Sequence, residues 1–204
     1  MRERTIYFIF TDTGTYLSRL INFCTNNTLN HVSICFDHEL KEVYSFGRIN
    51  PKNPFSGGFV REDIRGDFLK NSKCAVYTMN ITEEDYVSIR HHIKEIEKRA
   101  SDYKYNFVGL IGILLKIEIQ RSNALFCSQF VATVLQDTET FKLAKPTNFV
   151  TPADIREQSE LQLIYQGRLG DYPKHRLAED DLFELPKQSI FNSLSQKLKE
   201  FVVR

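Results

Sequence analysis

One stretch constrains this chain more than any other: Ala124-Leu-Phe-Cys-Ser-Gln-Phe-Val-Ala-Thr-Val-Leu135. Val131, Val134 and Leu135 recur with Cys127 and Phe130 at three- and four-residue steps, which predicts a short buried helix. Cys127 falls at its amino-terminal end and shares the apolar face. Unpaired N–H groups and the positive end of the helix dipole favour negative charge there. A thiol in that place can be drawn toward thiolate, the form that attacks carbonyls. The same position also suits an inert core cysteine, so the rest of the chain decides between the two.

With 204 residues, 42% of them hydrophobic, the chain is long enough for one domain with a sizeable core plus an appendage. Its 27 basic and 26 acidic residues nearly cancel, which argues against a nucleic-acid binder working by phosphate neutralisation. The opening Met1–Phe10 has charge but only a very short apolar run, and is expected to be a first strand, not a signal peptide. No run approaches the ~20 apolar residues that span a bilayer. Cys24, Cys35, Cys74 and Cys127 lack metal-ligand spacing and are expected to stay reduced in a cytoplasmic setting.

Taken in order, Thr5–Phe10 is β-branched and aromatic and predicts a core strand. Turn residues at 11–15 lead into a helix over Tyr16–Phe23, then a polar loop. Strands are expected at His31–Phe36 and Val43–Phe46, with a polar connection between them that suggests an antiparallel pair. Gly47–Asn71 carries several Gly and Pro residues and is expected to be a long irregular loop. Cys74–Ile81 predicts another strand. Thr82 caps the helix after it, whose face is marked by Tyr86, Ile89, Ile93 and Ile96. Residues 105–119 predict a buried helix, Pro152 opens a short one, and Leu161–Tyr165 is a late strand. From Asp171 the composition shifts to a tail in which Ile190, Leu194 and Leu198 line one helical face. That face docks on the body or meets a membrane surface or partner.

A thiol nucleophile needs a base, and the base an orienting partner. Of five histidines, His31 stands apart, because it opens an apolar strand in phase with Ser33 and Cys35. His-Val-Ser-Ile on one strand, Val-Tyr-Ser-Phe on the next and then Phe-Cys-Ser-Gln-Phe-Val on a helix resembles the circularly permuted branch of the NlpC/P60 superfamily of papain-like thiol hydrolases. The likeness extends to Tyr105–Leu110 and to Thr151-Pro-Ala-Asp154 and covers roughly residues 5–167.

The resemblance implies an α+β, permuted papain-like fold, with an antiparallel sheet packed against helices and the catalytic cysteine at a helix N-terminus. It implies a catalytic domain over 1–170; the amphipathic helical tail over 171–204 lies outside the resemblance. Carried over by position, Cys127 is the nucleophile, His31 the general base and Ser45 the polar third member, a place often acidic in the family. Serine offers the imidazolium no charge, so Glu42 and Glu62 are the carboxylates to check as orienter. The Cys127 N–H is the expected first oxyanion donor. Asp12, Thr13, Arg48 and Glu62 are candidate substrate-wall residues, with turn, cap or solvated roles as the alternative. The expected activity is cleavage of an amide in a peptide or cell-wall-derived peptide, without metal or organic cofactor. A lipid acyltransferase or phospholipase on the same thiol, and a non-catalytic binding module on the same fold, stay open.

Overall fold

The computed structural model describes residues 3–12, 14, 28–49, 57–102, 104–105 and 124–173. The protein is α+β, built on a six-stranded antiparallel sheet. Its strands are β1 (Glu3–Asp12), β2 (His31–Cys35), β3 (Val43–Arg48), β4 (Gly57–Glu62), β5 (Lys73–Thr82) and β8 (Gln162–Arg168), in the order β4-β3-β2-β1-β5-β8. A minor parallel pair joins β6 (Lys104–Tyr105) to β7 (Ala124–Leu125). The helices are α1 (Glu83–Lys98), α2 (Cys127–Leu135) and α3 (Pro152–Arg156).

β1 is central because alternate residues serve both faces. Ile6, Phe8 and Phe10 face the helices, beside Val32 and Ile34 of β2 and Phe46 of β3. Ile9 lies on the reverse face with Cys35, Val43, Cys74 and Val76, and the turn residues Leu40, Ile64, Leu69, Leu169 and Tyr172 cover that side. The compact body therefore continues at least through Tyr172. The tail expected beyond it lies outside the described residues, as do the helices expected over 16–23 and 105–119.

α1 forms as its sequence dictates: the Thr82 hydroxyl accepts from the Asp85 N–H at 3.0 Å, and Ile89, Ile93 and Ile96 are buried. The Asp85 carboxylate turns to the chain after α2, accepting from the Glu139 N–H and the Thr140 hydroxyl. α3 opens on Pro152 with a full capping box between Thr151 and Asp154. α2 lies over β2 and β3, with Phe130 against Phe46 and Phe59 at 5.4 and 5.8 Å between ring centres. Phe130, Val131, Val134 and Leu135 are all buried, each contributing about 1.5–3 kcal/mol. The helix starts at Cys127, and Ala124–Leu125 ahead of it is extended.

The segment expected to be a loop over 47–71 contains a strand. β4 pairs with the whole of β3, with Ser45 opposite Val60 and Gly47 opposite Gly58. Two glycines give Gly57–Glu62 little strand propensity of their own. Cross-strand pairing and burial of Phe59 override that weakness.

Candidate active site

The site forms where the β2–β3 ladder stops. Registered pairs join Ile34 to Tyr44 and Cys35 to Val43, and the ladder goes no further toward His31. Val32 C=O accepts instead from the Ser45 hydroxyl at 3.1 Å. The N-terminus of α2 comes in at this end of β2. Cys127 is its first residue, and the backbone N–H groups of Val32 and Ser128 donate to the sulfur. As a thiol, the same group reaches the Asn30 carbonyl at 4.0 Å. Ser128 anchors the first turn through its hydroxyl, which donates to Val150 C=O at 2.6 Å.

His31 opens β2. Its Nε2 lies 2.7 Å from Oε1 of Glu62, the last residue of β4, and the two side chains are only 12% and 10% exposed. That contact occupies Nε2, and the Cys127 sulfur lies close enough to the ring for each to bias the other's charge. The other Glu62 oxygen accepts from the Ser33 hydroxyl at 2.5 Å. Ser33 and Ser45 are fully buried, and both hydroxyl oxygens stand 3.4 Å from Nε2. Each hydroxyl has a single proton, committed to Glu62 in one case and Val32 in the other, so neither can donate to the ring. Ser45, expected as the third member, supports the backbone of the histidine strand, and the group aligned with Nε2 is Glu62.

Burial opposes charge on both sulfur and imidazole, yet each is driven toward its charged form. Desolvation alone would lower the His31 pKa; the Glu62 charge, then that of Cys127, outweigh it and hold the ring well above its ordinary value. Desolvation likewise would raise the Cys127 thiol, but the His31 charge, its hydrogen bond and the two backbone N–H groups bring it below the ordinary value. The other described cysteines contrast with it. Burial pushes Cys35 far up, despite backbone donors, and Cys74 up to about 12. Sulfur and imidazole are thus each biased toward the charged form, the direction a thiol nucleophile needs.

The remaining predicted residues stand apart from this cluster. The Asp12 carboxylate accepts from the Gly14 N–H at 3.0 Å, a turn role. Thr13 lies outside the described residues. Arg48 ends β3 opposite Gly57, and its side chain is not among those described. Glu42 is paired with Arg90 at 2.7 Å, tying α1 to the start of β3. Glu62, expected either as orienter or as substrate wall, has both oxygens on His31 and Ser33. Sequence reasoning missed the clamp by Ser33 and the Val32 N–H. The phase of Ser33 with His31 was the available signal for the first; the second depends on where the ladder ends. Among the described residues, no group of three His, Cys, Asp or Glu side chains could hold a metal ion, and no helix is long and apolar enough to cross a membrane.

No family model matches this chain, and neither a curated protein nor a solved structure does.

Proposed function

We propose that this protein is a cysteine hydrolase of the permuted papain-like, NlpC/P60 class, cleaving an amide in a peptide. The observation that carries this reading is the buried 2.7 Å contact between His31 Nε2 and Glu62, on a ring close enough to Cys127 for the two to bias each other's charge. The order along the chain, histidine strand before cysteine helix, fits the permuted branch. Its acidic third position is supplied by Glu62, from the strand beyond Ser45.

In the reaction, the Cys127 thiolate attacks the amide carbonyl and forms the C–S bond. The developing oxyanion meets the Cys127 N–H at the start of α2, where the helix dipole also favours negative charge. The protonated His31 ring gives a proton to the leaving amine as the C–N bond breaks. The neutral ring then takes a proton from water, whose oxygen displaces sulfur from the acyl-enzyme. Glu62 aligns the ring and favours its charged form.

The test is iodoacetamide labelling from pH 4 to 9, resolved by site with mass spectrometry, on the wild type and on His31→Ala. Cys127 is expected to label well below the ~8.5 of a free thiol, and His31→Ala to abolish that low-pH reactivity. A Cys127 that labels no faster than Cys35 or Cys74 overturns the hydrolase reading. Turnover of peptide amides against fatty-acyl esters then fixes the bond, and turnover of esters alone removes the peptidase assignment.

A further inference from the structure

We infer that Ser33 is a positioning residue of this site, clamping the Glu62 carboxylate so that its other oxygen stays on His31. The inference rests on the hydrolase reading and adds a member that the resemblance does not supply.

Glu62 belongs to the edge strand of the sheet, and its side chain must reach past β3 to a ring on β2. A glutamate has three rotatable bonds, and fixing them costs conformational entropy. β4 opens on two glycines and is held on its sheet side only by β3, so its own backbone is a weak support for a side chain that needs alignment. The Ser33 hydroxyl, fully buried and two residues along the same strand from His31, donates to Oε2 at 2.5 Å while Nε2 meets Oε1 at 2.7 Å. Ring and hydroxyl thus hold one carboxylate from a single strand, β2, whose backbone is registered to β1 through His31 and Ser33. Ser33 Oγ also stands 3.4 Å from Nε2, long beside the 2.7 Å contact to Glu62, so its principal hold on the ring runs through Glu62.

Ser45 completes the support differently. Its hydroxyl caps the Val32 carbonyl that the interrupted ladder leaves without a β3 backbone donor. The two serines therefore divide the work: Ser45 keeps the strand end in place, and Ser33 keeps the carboxylate in place.

The experiment compares site-resolved labelling of Cys127 across pH in wild type, Ser33→Ala, Ser33→Thr, Glu62→Ala and the Ser33→Ala/Glu62→Ala double variant. Ser33→Ala is expected to lower the labelling rate at about pH 6 roughly tenfold and to move the pH–rate midpoint upward, the loss set by one hydrogen bond to a charged group. Ser33→Thr keeps the hydroxyl and is expected to restore most of the rate. The double variant is expected to match Glu62→Ala, because a residue acting through Glu62 has nothing left to act on. An unshifted midpoint in folded Ser33→Ala overturns the inference, and so does an additive loss in the double variant. If wild-type Cys127 shows no low-pH reactivity, the hydrolase reading fails first and the clamp with it.

Discussion

Glu62→Gln is the sharpest single perturbation of this site. The carboxylate accepts from two buried donors, Nε2 of His31 at 2.7 Å and the Ser33 hydroxyl at 2.5 Å. Glutamine keeps the volume but has one carbonyl oxygen and an NH2 group that only donates. One of the two donors therefore loses its acceptor, and the imidazolium loses the adjacent negative charge. Both side chains are about nine-tenths enclosed, so water cannot restore the contact. A hydrogen bond to a charged group is worth about 1.5–3 kcal/mol, and one pKa unit corresponds to about 1.36 kcal/mol. The thiolate–imidazolium form should thus fall roughly ten- to a hundredfold against the neutral thiol–imidazole form. The assay is the rate of Cys127 alkylation at about pH 6, with thermal unfolding alongside to show that the variant is folded. A fall of that size, with the pH–rate midpoint moving toward the ~8.5 of a free thiol, is expected. A folded Glu62→Gln whose pH–rate curve superimposes on wild type would refute the reasoning, because the carboxylate would then be a structural neighbour only.

Two further outcomes are expected. The charged pair makes stability depend on pH: His31, with its folded pKa raised, contributes fully below its unfolded value of about 6.5 and loses that contribution as pH rises through the folded value. Cys127, with its folded pKa lowered, contributes fully above about 8.5 and loses that contribution as pH falls through its folded value. The Cys127 contribution therefore grows as pH rises toward about 8.5, while that of His31 shrinks as pH rises above about 6.5, so the melting-temperature difference between wild type and Cys127→Ser should vary with pH. A difference that does not vary with pH refutes the pair. Phe130→Ala removes a fully buried ring held against Phe46 and Phe59, and should cost about 3–5 kcal/mol in urea unfolding. A loss under about 1 kcal/mol would show that α2 is not the packed platform described here.

Much of the fold was legible because its signals are local. The strand over Thr5–Phe10, the Thr82 cap with its isoleucine stripe, and the Thr151-Pro-Ala-Asp154 turn each carry their cause within a few residues. β4 was not legible, because Gly57-Gly58 gives it no intrinsic preference and its stability comes from β3, a partner that no local pattern names. That omission propagated to the site. With Gly47–Asn71 read as a loop, Glu62 had no defined face. Ser45, on the strand after His31, took the orienting place by its position in the resemblance. Once β4 pairs with β3, Ser45 faces Val60, and Glu62 lies two residues further on the same side of the sheet. Its longer side chain then reaches the ring that the serine hydroxyl approaches only to 3.4 Å.

Burial by itself does not explain the thiol. Cys35, Cys74 and Cys127 are all buried, and in the first two desolvation prevails and the thiol becomes harder to ionise. Cys35 has two backbone donors, as Cys127 has, and Cys74 has one, so backbone N–H groups alone do not reverse the effect. What Cys127 adds is the imidazole of His31, whose charged form is favoured against burial by the Glu62 charge and then by that of Cys127. Low dielectric then strengthens the same contacts that make burial tolerable. The interrupted β2–β3 ladder is what brings these groups together. A strand paired along its full length would spend its amides and carbonyls on the neighbouring backbone. Ending the pairing at Ile34 leaves the Val32 carbonyl to Ser45 and its N–H to the sulfur, in the one place where a helix N-terminus, a histidine and a clamped carboxylate converge. On the hydrolase reading, reactivity at Cys127 is a property of where the sheet stops pairing, and substitutions that disturb that end of β2 should act on the thiol before they act on the fold.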